Sequence, residues 1–253
     1  MELIDTHAHL DFPQFSDDKE KVIERAKDAG LKYIINVGAD LASSRRALEL
    51  SQEYEDIYAT VGVHPHDATD LDQNSLDVMK DLSKADKVVA VGETGLDFHY
   101  DNSPRDKQKE AFQQQINLAQ EIDLPLVIHS READQETMKI IKENQIDNGI
   151  WHCFASNKEM AEQALEMGLY IAFGGILTFN NAKNLQNLIK DLPLDKLLLE
   201  TDSPFLTPDP YRGKRNEPAY VKYVAQKIAD IKQVSLEKVA EITTKNAETV
   251  YGL

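Results

Sequence analysis

Short apolar runs punctuate the chain at residues 3–4, 33–37, 57–63, 88–91, 126–128, 149–151, 170–173 and 197–199. Most are unbroken rather than alternating, the pattern of strands covered on both faces as in parallel sheets. Between them, apolar positions recur at helical spacing near 18–29, 43–54, 74–84, 104–122, 133–144, 157–167 and 182–190, and two more such segments follow near 218–232 and 235–250. Stop signals agree. Gly30 and Gly168 close helical runs, Pro125 and Pro193 follow others, and Ser235 is a good N-cap ahead of Leu236 and Val239. Eight strand–helix repeats in 253 residues give the arithmetic of a (β/α)8 TIM barrel, here with an extra C-terminal helix. The rival, an open doubly wound sheet, typically has fewer strands and often a Gly-rich first loop, which is missing here. No linker, low-complexity tract or charge block divides the chain, so a single domain over residues 1–253 is expected.

Composition narrows the class. With 42% apolar residues the chain can build a full core, and no apolar run comes near the ~20 residues needed to cross a bilayer. The start, MELIDTHAHLDF, lacks a basic stretch followed by a greasy one, and the single cysteine, Cys153, forms no intrachain disulfide. A cytoplasmic protein is the expectation. The net charge of −16 argues against casual binding to nucleic acid or anionic membranes. It is unevenly spread: residues 200–253 hold eight Lys/Arg and eight Asp/Glu, so the whole excess lies in residues 1–199. Within the neutral part, Arg212, Lys214 and Arg215 surround a single Glu217 and offer the best landing place for a polyanion.

The chemistry lies where the apolar runs end. The first runs into Asp5-Thr6-His7-Ala8-His9, the third into His64-Pro65-His66, and the fourth into Gly92-Glu93-Thr94-Gly95. The fifth meets His129-Ser130-Arg131, the sixth His152-Cys153-Phe154, and the eighth Glu200-Thr201-Asp202. Six of the seven histidines, all but His99, lie at or just past such ends. In a (β/α)8 barrel the C-terminal mouth carries the reaction, with catalytic groups drawn from several strands. Residues two apart on a strand point the same way, so His7 and His9 can share a cation. Adding Glu93, His129, His152 and Asp202 gives six potential ligands from five strands, too many for one tetrahedral ion and about right for two. His64 reads as a substrate contact because Pro65 turns the chain, whereas His66 and His99 read as loop residues. Cys153, adjacent to His152, is expected to point the opposite way as a small buried group, and Trp151 into the layer beneath the helices.

These blocks resemble the TatD-like metal-dependent deoxyribonucleases, a branch of the amidohydrolase-like barrels. The likeness runs through DTHAHLD at 5–11, GVHPH at 62–66, GETGLDFHY at 92–100, HSREA at 129–133, HCF at 152–154, GG at 174–175, ETDSPFLTP at 200–208 and RGKRNEP at 212–218. The departures are Thr94, His99 and the absence of Ser-Gly after HCF. None removes a ligand. The resemblance implies one metal on His7, His9, Glu93 and Asp202 and a second on Glu93, His129 and His152, with Glu93 bridging. Two divalent ions (Mg, Mn or Zn) and exonuclease-type hydrolysis of DNA, single-stranded or at ends, are the expectation. Asp202 is assigned as general base, His64 to the scissile phosphate, and Arg131, Lys214 and Arg215 to flanking phosphates. Phe98, Tyr100, Phe154, Phe179 and Tyr211 are candidate base-stacking groups. The residues by themselves also leave open cleavage of an amide, lactone or ester, including release of acyl groups from tRNA, and a non-catalytic nucleic-acid or metal-binding module.

Overall fold

The computed structural model describes residues 1–253. Eight strands follow one another in spatial order: β1 (Leu3–Ala8), β2 (Leu31–Asn36), β3 (Ile57–Val61), β4 (Val88–Asp97), β5 (Leu126–Arg131), β6 (Gly149–Trp151), β7 (Tyr170–Phe173) and β8 (Leu197–Leu199). All neighbouring pairs are parallel. The ring closes just past β8. There Asp202 donates its backbone N–H to the His7 carbonyl at 2.9 Å, and His9 donates to the Ser203 carbonyl at 2.8 Å. The helices alternate outside: α1 (Lys19–Asp28), α2 (Leu41–Glu53), α3 (Gln73–Leu82), α4 (Arg105–Ile122), α5 (Asp134–Glu143), α6 (Lys158–Glu166), α7 (Lys183–Asp191) and α8 (Val221–Lys232). An additional helix, α9 (Leu236–Tyr251), completes a (β/α)8 TIM barrel.

Polar side chains fix where several helices begin. Asp40 and Ser43 form a reciprocal capping box at α2, while Asp72, Asn157 and Ser235 accept from backbone N–H groups at the starts of α3, α6 and α9. Each supplies acceptors that the first turn of a helix lacks.

Apolar packing divides into two regions. The larger lies between sheet and helices and includes Leu126, Ile128, Trp151, Leu197 and Leu199. The smaller fills the lower barrel with Ile4, Ile35, Val89, Val127, Ile150, Ala172 and Leu198. Helix α9 seals this end with Ala247, Val250 and Tyr251, and the Tyr251 hydroxyl donates to the Thr6 carbonyl at 3.2 Å. Strand alternation then places His129 above Val127, His152 above Ile150, and Glu200 above Leu198. A dry floor thus lies beneath a polar upper layer.

Strand β4 departs from the apolar pattern. It continues past Val91 through Glu93 to Asp97, every residue buried. Two glycines permit this close approach to β5. A Cβ on Gly92 (φ +146°) would stand 2.6 Å from the Val127 carbonyl oxygen, and one on Gly95 (φ +141°) would overlap the His129 carbonyl. Only glycine fits both the spacing and the dihedrals.

Candidate metal centre

At the upper end of the barrel, His7 and Glu93 come from within β1 and β4, His129 from β5, His152 from just past β6, and Asp202 from beyond β8. His9 follows β1. Their ligand atoms converge. The Nε2 atoms of His7 and His9 face each other at 3.3 Å, and Asp202 Oδ1 lies 3.5 Å from His9 Nε2 and 4.0 Å from His7 Nε2. Glu93 looks both ways. Its Oε2 is 3.4 Å from His7 Nε2, while Oε1 is 2.7 Å from His129 Nδ1 and 3.7 Å from His152 Nε2. Asp202 adopts φ +55°, a left-handed turn that aims its side chain back at the cup.

The rings are oriented from behind. His9 Nδ1 donates to the Val37 carbonyl at 3.2 Å, and His152 Nδ1 donates to Glu200 Oε2 at 2.9 Å. Because those partners only accept, Nδ1 keeps its proton in both rings, and Nε2 is the nitrogen that faces the cup and gives its lone pair to a cation once it is deprotonated. Two lone-pair-bearing nitrogens and two carboxylates aimed at one small space are a donor set that fits divalent cations. His7 Nδ1 and His129 Nε2 are buried with no hydrogen-bond partner, so neither ring is held by ordinary polar satisfaction alone.

The model of the TatD related DNase family matches residues 4–252. The chain belongs to the TatD-related DNase family. The metal-dependent hydrolase YabD of Bacillus subtilis, itself uncharacterized, is 49% identical over 253 residues, covering 99% of each chain. The 3'-5' ssDNA/RNA exonuclease TatD of Edwardsiella piscicida is 35% identical over 259 residues, covering 99% of this chain and 100% of that one. The crystal structure of YJJV, a TatD homolog from Escherichia coli K12, superposes with a TM-score of 0.94 at 31% identity, over 99% of this chain and 98% of that one. This TatD-family barrel is thus a metal-dependent hydrolase with a His/Glu/Asp cluster able to bind metal.

The TatD-family cup holds its acidic groups ionised. Burial raises the Glu93 carboxyl, but the imidazoles packed around it, His64 first and then His152, His7 and His129, outweigh it and hold the group well below its usual range. Burial likewise raises Asp202, and the hydrogen bond from His9 with the charges of His152 and His7 brings it down. For His152 burial lowers the imidazole, yet Glu200 and Glu93 push it up to about 10. Both carboxylates are ionised at neutral pH, and His152 carries a proton on Nε2 that a bound cation would displace.

Several side chains that the sequence pattern left aside belong to this site. Asp97, two residues past Gly95, receives the His66 ring at 2.9 Å and lies 3.5 Å from His129 Nε2. It also accepts from the backbone N–H groups of His99 and Tyr100. His66 therefore lines the cleft as part of a network. Glu200 could have been flagged as the acidic residue at the end of the eighth apolar run, whereas Asp97 lies beyond the end of the fourth run at Val91 and carried no such signal. His64 places Nε2 3.6 Å from Glu93 Oε1, grouped with Glu93 and His129 as a possible ligand set. Burial holds its imidazole down at about 3, leaving it neutral.

Cys153 requires a correction. Strand β6 ends at Trp151, so Cys153 is not in a strand; it takes φ +46°, is only half-buried, and its sulfur groups with ligand atoms of His152 and Asp202. Burial, then the charges of Glu200 and Asp202, push its thiol well above the usual range. Trp151 does pack beneath the helices, 5.7 Å from the Phe154 ring.

The outer groups divide. Arg131 lines the cleft, its guanidinium 4.7 Å from the Tyr100 ring centroid. Lys214 and Arg215 do not line it. Lys214 is exposed beside Tyr211, whereas Arg215 pairs with Asp18 at 2.7 and 2.8 Å and donates to the Gln14 carbonyl. Of the stacking candidates, only Tyr100 reaches the cleft. Phe154 is fully buried, Phe98 lies under Arg105, Phe179 under Arg212, and Tyr211 stacks on Tyr220. Phe12 and Phe205 line the cleft instead.

Proposed function

We propose that this chain hydrolyses DNA phosphodiester bonds, trimming strands from an end with two divalent ions. The observation that carries the reading is Glu93: its two oxygens address two separate groups of imidazoles, the arrangement a bridging carboxylate requires. Bound cations would supply Lewis-acid polarisation at phosphorus and a more acidic water. His7, His9, Glu93 and Asp202 are assigned to one ion, and Glu93, His129 and His152 to the other. The side chain of Asp202 is 16% exposed against 6% for Glu93, so Asp202 is the ionised carboxylate that reaches solvent. It accepts the proton of the attacking water. Arg131 neutralises a neighbouring phosphate, and neutral His64 donates a hydrogen bond to the scissile one. The six ligands include only two carboxylates, so two divalent ions leave that cluster net positive within an acidic protein. The Edwardsiella piscicida relative, named a 3'-5' ssDNA/RNA exonuclease, is consistent with this chemistry.

The test is digestion of end-labelled single and double strands by metal-loaded protein. Asp202→Asn should lower kcat by about 10²- to 10⁴-fold, the usual worth of a general base. Full activity in that variant, or no cleavage by the wild type with any of Mg, Mn or Zn, overturns the proposal.

A further inference from the structure

Two large aromatic side chains stand open at the mouth of this barrel. Tyr100 is 54% exposed and Phe205 46%; the other large exposed apolar groups are Met1 and Val234. Tyr100 follows β4 and Phe205 follows β8, strands four places apart in an eight-stranded ring and so on opposite sides of the axis. Both line the cleft of about 610 Å³ whose wall includes His9, Glu93, His129, His152 and Asp202.

Each is joined to the ligands by ring contacts. Phe205 meets Phe12 edge-on at 6.1 Å, and Phe12 stacks on His9 at 4.6 Å. Across the cup, His129 contacts His64 at 4.5 Å, His64 contacts His66 at 4.3 Å, and His66 contacts Tyr100 at 5.5 Å. A band of rings therefore crosses the cleft, with imidazoles at its centre and one solvated aromatic at each end. An exposed ring is ordinary when it stands alone; what sets these two apart is that both face the one cleft that holds the ligand cluster. Arg131 lies over Tyr100, adding a cation beside that ring.

We propose that Tyr100 and Phe205 are stacking platforms for the two bases that flank the scissile phosphate of a single DNA strand. The inference rests on the nuclease reading above and adds the two residues that hold the bases. Stacking on an aromatic ring is indifferent to base identity but needs a free base face. In a duplex both faces of an interior base are covered by its neighbours, so only unpaired nucleotides can occupy the two platforms together. Single strands are thereby selected over duplex without any base-specific hydrogen bond.

The experiment is a cycle between protein rings and DNA bases. Wild type, Tyr100→Ala and Phe205→Ala are compared on an intact oligonucleotide and on strands made abasic at either flanking nucleotide. Cleavage gives KM; quenching of 2-aminopurine at the same nucleotides, in a slowly cleaved phosphorothioate strand, reports stacking directly. Each Ala variant should raise KM by about 5- to 150-fold and abolish quenching at one nucleotide. Once that base is missing, losing the ring should cost little more. Tyr100→Phe and Phe205→Tyr keep the rings and should restore binding, and all four variants should melt with the wild type because the rings are exposed. If cleavage persists but the Ala variants bind and quench as wild type, or if duplex interiors are bound equally well, the platforms are wrong and the nuclease reading stands. If the wild type neither binds nor cleaves any strand, the nuclease reading fails and takes the platforms with it.

Discussion

At the residue scale the site is a set of rings held from behind, and that backing is testable apart from the ligands. Glu200 touches His152 Nδ1 and the Cys153 backbone N–H without facing the cup itself. Glu200→Gln should weaken metal binding by about 10- to 100-fold, read by titration calorimetry, while the apo protein still folds. An unchanged affinity would mean that His152 is oriented by packing alone. Asp18 makes a different prediction. The hydrogen bonds of Arg215 hold its carboxyl down at about 2 despite some burial, so its folded value lies below the unfolded one. Its contribution to stability is then complete above about pH 4 and fades as pH falls toward 2. Asp18→Asn should flatten the melting temperature over that window and leave neutral-pH metal binding intact. The meeting of six of these side chains at one end of the barrel was legible because they fall at the ends of apolar runs, where a (β/α)8 barrel gathers its polar groups. Asp97, His66 and Cys153 were not, since their positions depend on how far β4 runs and on a left-handed turn after β6. Arg215 looked like a phosphate contact because its partner, Asp18, lies 197 residues away along the chain.

Among the elements, the eight strands and nine helices followed from periodicity with small shifts at their ends. The exception is β4, whose polar and glycine-rich half, Gly92 to Asp97, has no apolar pattern, although it is wholly buried. Its course depends on contact with β5 rather than on propensity. Gly95→Ala would drive a methyl into the His129 backbone, so it should cost about 1–3 kcal/mol and also displace the His129 ring from the cup. Thermal melts and metal titrations should therefore both change. At the other end of the barrel, Tyr251 is buried against the floor residues, and Tyr251→Ala should cost about 3–5 kcal/mol with no direct effect on the cup. If melting were unaltered by that change, α9 would not be the seal of the lower barrel.

For the whole molecule, charge and fold have to be read together. An excess of acidic groups would repel DNA, yet the barrel gathers imidazoles from separate strands around two carboxylates and makes one face receptive to cations. Metal bound only by the folded ring must stabilise it. At about 100 times the dissociation constant the gain is about 2.7 kcal/mol, an upward shift in Tm of about 5–10 °C that a chelator reverses. The most direct measurement is anomalous diffraction from crystals of this protein grown with manganese. Two peaks on either side of Glu93 are expected, one reached by His7, His9 and Asp202, the other by His129 and His152. No peak in the cup, or a single one that leaves either group of imidazoles without a cation, would contradict a paired-ion hydrolase.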